Sequence, residues 1–127
     1  MNRDISLYLQ DILSNMKNAE TFVGNLSYEE FTNDMKTSYA VVRCLKIIGE
    51  AAKNVPSNIR RKHPEVPWKE MAGMRDKVIH FYFGVNPQKV WVVVKERIPK
   101  IKPLIEKVLE DIRNQQHGKD IPARDGG

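Results

Sequence analysis

Asp34-Met-Lys-Thr-Ser-Tyr-Ala-Val-Val-Arg-Cys-Leu-Lys-Ile-Ile-Gly-Glu-Ala-Ala-Lys-Asn-Val-Pro56 reads as one long helix, and the rest of the chain follows its pattern. Met35, Tyr39, Val42, Leu45, Ile48, Gly49 and Ala52 recur at threes and fours, the spacing that gathers side chains on one helical face. The pattern begins at about Asn33 or Asp34, and Pro56 ends it.

Towards the N-terminus, Ile5, Leu9, Ile12, Met16, Ala19 and Val23 show the same period and predict a first long helix over about Asn2 to Val23, stopped by Gly24-Asn25. Ser27-Tyr-Glu-Glu30 is a capping box that opens a short helix through Phe31. Towards the C-terminus, the proline-bounded stretch from Pro56 to Pro67 is a connector with room for one helical turn after Ser57. Pro67 suits the start of a helix running from Trp68 to about Tyr82 and closed by Gly84. Asn86-Pro87 repeats the start signal, and Val90, Val93, Val94, Arg97 and Ile98 continue helically until Pro99 and Pro103 interrupt or kink the chain. Ile101, Ile105, Val108 and Ile112 then restore the period to about Asn114. Four long amphipathic helices with one or two short ones bury their stripes best as an antiparallel four-helix bundle, so the fold class is all-α. We expect one domain over residues 1–114 and a flexible polar tail over 115–127.

The chain has 127 residues, 41% hydrophobic and 29% charged, which suits a single globular core and not a disordered segment. The N-terminus lacks the apolar run of a signal peptide and no stretch approaches a membrane span, so a cytoplasmic location is expected. Cys44, the only cysteine, lies between Val42 and Leu45 and reads as a reduced structural thiol. The net charge of +5 favours an anionic partner. The tight basic cluster is Arg60-Arg61-Lys62-His63, and Arg60, Arg61 and Lys62 are candidate RNA contacts.

Candidate chemistry concentrates in the helix after Pro67. At about 100° per residue, Trp68, Met71, Ala72, Val78, Ile79 and Tyr82 share an apolar sector with Arg75 in its middle. A guanidinium stays charged near neutral pH, so there it must snorkel to solvent, pair with a carboxylate such as Glu50, or face a polar cleft. His80 lies about 140° from Arg75 on this wheel, so the two converge only through a kink, the reach of the arginine, or a second subunit. Asp76, four residues before His80, faces the same way and is placed to hydrogen-bond the imidazole. His63, His80 and His117 are scattered without zinc-ligand spacing, and no Gly-rich phosphate loop occurs, so no metal or cofactor is expected. Gly49 and Gly73, each alone within a helix, read as sites of close packing.

Arg75, four residues, His80, one residue and Tyr82 resemble the Arg-x4-His-x-Tyr signature of the HepT-like toxin group of the HEPN superfamily. Asp76 directly after the arginine agrees with that pattern. So do Ile47-Ile-Gly-Glu-Ala-Ala52, Pro67-Trp68, Gly73-Met-Arg75, His80-Phe-Tyr-Phe-Gly84 and Val90-Trp91 in order and spacing, and the similarity runs from the first helix to about Ile112. The resemblance implies a homodimer with Arg75 and His80 of both subunits in a cleft at the interface, acting as a metal-independent endoribonuclease toxin. It further implies an MNT-type nucleotidyltransferase antitoxin that attaches AMP to Tyr82. On this reading His80 moves a proton to or from the ribose and the leaving oxygen, and Arg75 stabilises the charge on the phosphorane-like transition state. Asp76 orients the imidazole, and Tyr82 hydrogen-bonds phosphate. Two other readings need no catalysis: a helical adaptor for a nucleotidyltransferase, and a basic RNA-binding module using Arg60, Arg61 and Lys62.

Overall fold

The computed structural model describes residues 4–76 and 87–120, with residues 116–120 described by backbone alone. These residues form an all-α bundle, as the apolar periodicity predicts. Helix α1 (Ile5–Val23) starts at Asp4, whose side chain accepts the Ser6 N–H at 2.9 Å. It stops at Gly24, where φ is +48° and the N–H returns to the Glu20 carbonyl at 2.9 Å. A side chain at that backbone angle would be strained, which is why a glycine ends the helix. Helix α2 (Tyr28–Asn33) carries the predicted capping box: Ser27 N–H to Glu30 Oε1 at 2.9 Å, and Glu30 N–H to Ser27 Oγ at 3.1 Å.

Helix α3 (Met35–Asn54) is capped by Asp34, which accepts both the N–H and the hydroxyl of Thr37, at 3.0 and 2.8 Å. These bonds hold the Asp34 carboxyl below the usual carboxylate range. The buried stripe of α3 differs from the expected one at its N-terminal end. Met35 and Tyr39 are 69% and 44% exposed, and the stripe begins instead at Ser38, Val41 and Val42. Ser38 can be buried because its hydroxyl donates to the Phe31 carbonyl at 2.9 Å, tying α3 to α2.

Helix α4 (Ser57–Lys62) fills the single turn expected after Ser57. Helix α5 (Trp68–Ala72) begins where Pro67 predicts, with Trp68 Nε1 donating to the His63 carbonyl at 3.0 Å. It does not continue to Tyr82 as one helix: the backbone turns at Gly73 and is helical again over residues 74–76. Residues 77–86 lie outside the described part.

From Pro87 the chain is helical to Asp120: α6 (Pro87–Val92), a π turn (Val93–Arg97) and α7 (Ile98–Asp120). Val92 and Ile98 both have helical dihedrals, so the chain stays helical through both junctions. Ile98 N–H reaches back to Val93 O, five residues earlier, as a π turn requires. The apolar spacing explains the wide turn. Val90, Val94 and Ile98 are four apart, and each such step drifts about 40° on a straight α-helix at about 100° per residue. The wider turn keeps all three buried. Pro99, which has no N–H to donate and would crowd the carbonyl of Lys95, follows directly after the widened segment. Of the expected interruption or kink at Pro99 and Pro103, no interruption is seen, and the departure from α geometry is the π turn that precedes Pro99. The helix also runs six residues beyond Asn114, through a polar stretch that contains no proline.

The core is a continuous aliphatic cluster. Leu9, Ile12 and Met16 from α1 meet Leu45 and Ile48 from α3 and Ile98, Ile101 and Ile105 from α7, with Phe31 closing one end, each no more than 1% exposed. Full burial of each such side chain stabilises the fold by about 1.5–3 kcal/mol. Cys44 is 4% exposed in this cluster, and burial pushes its thiol pKa up, which suits a structural and not a nucleophilic sulfur.

Candidate active site

Arg75 lies just beyond the turn at Gly73, and the turn decides where its side chain goes. Trp68, Met71 and Met74 are buried at 8%, 0% and 0%, a spacing of three and three. Asp76 N–H bonds the Gly73 carbonyl at 3.0 Å, three residues back, so the backbone here is tighter than an α-helix. With this tightening Met74 is buried in the core and Arg75, next to it, is exposed. Arg75 is exposed although its backbone nitrogen and Cβ lie against Gly49 of α3, so of the outcomes expected for an arginine on the apolar face it is the one that reaches solvent. Among the described residues no ion pair joins Arg75 to Glu50, and Glu50 itself is exposed. Asp76 is exposed beside it. His80 and Tyr82, the other two residues of the signature, lie outside the described residues.

The seat beneath Arg75 is Gly49 of α3. A Cβ at Gly49 would lie 2.9 Å from Arg75 N, 3.0 Å from Arg75 Cβ and 3.2 Å from Ala72 O. Only glycine allows α3 to approach this backbone so closely, as the sequence reading of Gly49 anticipates. Gly73 is different. A Cβ there would make ordinary contacts at 3.4 Å with its own preceding turn.

Two side chains that sequence reasoning left without a role hold α5 from its other side. Glu70 accepts from Arg97 Nε at 2.7 Å and from Arg97 Nη2 at 2.8 Å, a two-pronged ion pair with both side chains about a third exposed. Hydrogen bonding to Glu70, reinforced by its charge, raises the Arg97 pKa above its ordinary value. The sequence carried a faint signal of this pair, since Arg97 falls within the apolar spacing between Val94 and Ile98.

The basic cluster sits in the last turn of α4, where cations favour the helix C-terminus. Arg61 and Lys62 are exposed; Arg60 is half-buried, and its Nε is buried without a hydrogen-bond partner among the described residues. A groove of about 540 Å³ lies elsewhere, between α1 and α7, lined by Gln10, Lys17, Glu106 and Arg113 among others. It contains neither Arg75 nor the α4 cluster, and its size alone gives it no chemistry. Among the described residues no group of three His, Cys, Asp or Glu side chains gathers as metal ligands, and no helix is long and apolar enough to cross a membrane.

The Ribonuclease HepT-like family matches residues 12–108, a span that contains the Gly49 seat, Arg75 and the Glu70–Arg97 pair. The chain belongs to the HepT-like ribonuclease family. A relative from Methanocaldococcus jannaschii, whose name reads "Putative RNase", is 52% identical over 118 residues, covering 93% of this chain and 94% of the relative. "Probable ribonuclease HepT" of Thermococcus cleftensis is 49% identical over 108 residues, covering 85% and 98%. No solved structure matches the chain. The family expected from the Arg75-to-Tyr82 signature is therefore the right one, and this HepT-like protein is a ribonuclease.

Proposed function

We propose that this HepT-like ribonuclease is a metal-independent endoribonuclease toxin that cuts RNA with Arg75 and His80 in a cleft between two subunits. The observation that carries this reading is the placement of Arg75. A permanently charged arginine stands exposed on a ribonuclease, on backbone held by buried Met74 and by the close approach of Gly49. His80 takes the proton from a ribose 2′-hydroxyl as that oxygen attacks the adjacent phosphorus. The bond from phosphorus to the 5′-oxygen breaks, and a proton delivered to that oxygen leaves a 2′,3′-cyclic phosphate and a 5′-hydroxyl. Arg75 donates paired hydrogen bonds to the equatorial phosphate oxygens as charge accumulates on them. Asp76 orients the imidazole, and a symmetric dimer presents two copies of the motif to one cleft. Arg60, Arg61 and Lys62 add non-specific attraction for the RNA backbone.

Regulation in this reading falls to an MNT-type nucleotidyltransferase antitoxin. The partner transfers AMP from ATP to the Tyr82 hydroxyl and releases pyrophosphate, and the added phosphate competes with RNA for Arg75.

The test is an RNA cleavage assay in excess chelator with wild type, Arg75→Ala and His80→Ala, alongside light scattering. Wild type should cut and leave cyclic phosphate ends as a dimer, and each variant should lose a hundredfold or more, roughly the worth of a proton carrier or a charge stabiliser. Wild-type rates in either variant would remove the catalytic assignment. RNA binding without cutting would favour the binding-module reading, and neither binding nor cutting would favour the adaptor.

A further inference from the structure

We propose that Glu70 and Arg97 are positioning residues of the ribonuclease, a two-pronged clamp that fixes the direction in which Arg75 leaves the surface. The inference rests on the reading of Arg75 as the phosphate-contacting group.

Arg75 follows a helix of five residues, α5, and a turn. A helix that short has almost no stability of its own, because nucleation costs more than a turn of hydrogen bonds returns. Its orientation must come from what it packs against. From below, Gly49 sets how closely the backbone of residues 72–75 approaches α3, and Met74 is inserted into the core. Within α5, Met71 is buried, and Trp68 is held at the first residue by its Nε1 hydrogen bond to the His63 carbonyl at 3.0 Å, so the end of α5 next to Arg75 is held by apolar and glycine contacts that have little directionality of their own.

The Glu70–Arg97 pair adds a directional constraint closer to Arg75. Two roughly parallel N–H to oxygen bonds at 2.7 and 2.8 Å align the carboxylate and guanidinium planes and resist rotation as a single contact does not. Glu70 lies within α5, five residues before Arg75, so a rotation of α5 moves both. The other jaw is firm. Arg97 ends the π turn, directly before Ile98, which is 0% exposed in the core, and Pro99. The wide turn keeps Val93, Val94 and Ile98 buried while Arg97 stays at the flank, 35% exposed, within reach of α5. A π turn at this place thus has a consequence beyond accommodating Pro99: it aims the arginine.

The experiment measures cleavage kinetics of the full chain and hydrogen exchange at the amides of residues 73–76, for Arg97→Met, Glu70→Gln, the swapped pair Glu70→Arg with Arg97→Glu, and Arg75→Ala. Arg97→Met and Glu70→Gln should each lower kcat about ten- to hundredfold, since misplacing a catalytic group by about an ångström costs that much, with KM nearly unchanged. Exchange at residues 73–76 should quicken while the melting transition stays cooperative. The swapped pair should recover part of kcat and of the protection, which a merely structural loss would not allow. Wild-type kcat in both Arg97→Met and Glu70→Gln, with Arg75→Ala inactive, overturns the clamp and leaves the catalytic reading standing. Wild-type cleavage by Arg75→Ala overturns the catalytic reading and this proposal together. If Arg97→Met fails to fold, Glu70→Gln, which keeps size and shape, decides the matter alone.

Discussion

The aliphatic core of α1, α3 and α7 and the short segment that carries Arg75 are built on opposite principles. In the core, long helices with an unbroken apolar stripe pack many fully buried side chains, and position follows from periodicity. The Arg75 segment has five helical residues, one turn, two buried methionines, a buried tryptophan, a glycine contact and the Glu70–Arg97 ion pair. The core supplies stability with much redundancy. The segment borrows that stability through a few contacts. Substitutions should therefore separate the two: core changes lower stability most, whereas changes around Arg75 lower activity more than stability.

The largest effect on stability should come from Ile105→Ala, which empties a fully buried site in α7. We expect a loss of about 2–5 kcal/mol in urea unfolding. The fraction that remains folded should cleave RNA normally, and a loss below about 1 kcal/mol would break the claim that α7 is a principal core element.

Gly49→Ala should show the opposite balance. Its Cβ would stand 2.9 Å from a backbone nitrogen that cannot move cheaply, so about 1–3 kcal/mol of overpacking is expected. Cleavage should fall further than that loss of stability explains, because the displaced atoms belong to Arg75 itself. Unchanged kinetics, measured under conditions where the variant is fully folded, would sever the link between the seat and the site.

Ser27→Ala removes one half of the capping box on α2 and should cost about 1 kcal/mol in thermal or urea unfolding, with no change in cleavage. Any marked loss of activity would show that the two regions communicate more than their contacts suggest.

The smallest expected effect is a pH dependence at the start of α3. Asp34 has its folded pKa depressed by the Thr37 hydrogen bonds, so its stabilisation is full at neutral pH, above the unfolded value, and is lost as pH falls through the folded value. Melting temperatures should decline on acidification, and Asp34→Asn, which keeps an acceptor but cannot titrate, should lessen that slope. An identical slope in the variant would assign the acid sensitivity to other carboxylates.

Much of this molecule was legible in its residues. The Ser27–Glu30 box, Pro67 before α5 and Pro87 at the first residue of α6 stand where their chemistry predicts. The signature from Arg75 to Tyr82, with its flanking text, pointed to the family that the match over residues 12–108 establishes. Met35 and Tyr39 fit the period of α3 yet are exposed, because periodicity orders residues around a helix without saying how far along it the neighbours extend. The helix expected from Trp68 to about Tyr82 is interrupted at Gly73, because the tighter turn there answers to packing against α3 and not to the local apolar period.

The sequence by itself determined the helical class, the caps and the family, since these depend on interactions within a few residues and on motifs written contiguously. Tertiary structure alone decided that Met74 is buried beside an exposed Arg75, that the helix from Pro87 widens into a π turn, and that Arg97 meets Glu70 across 27 positions of chain. A helix of five residues has too little internal cooperativity to set its own orientation, so the helices packed around it must do so.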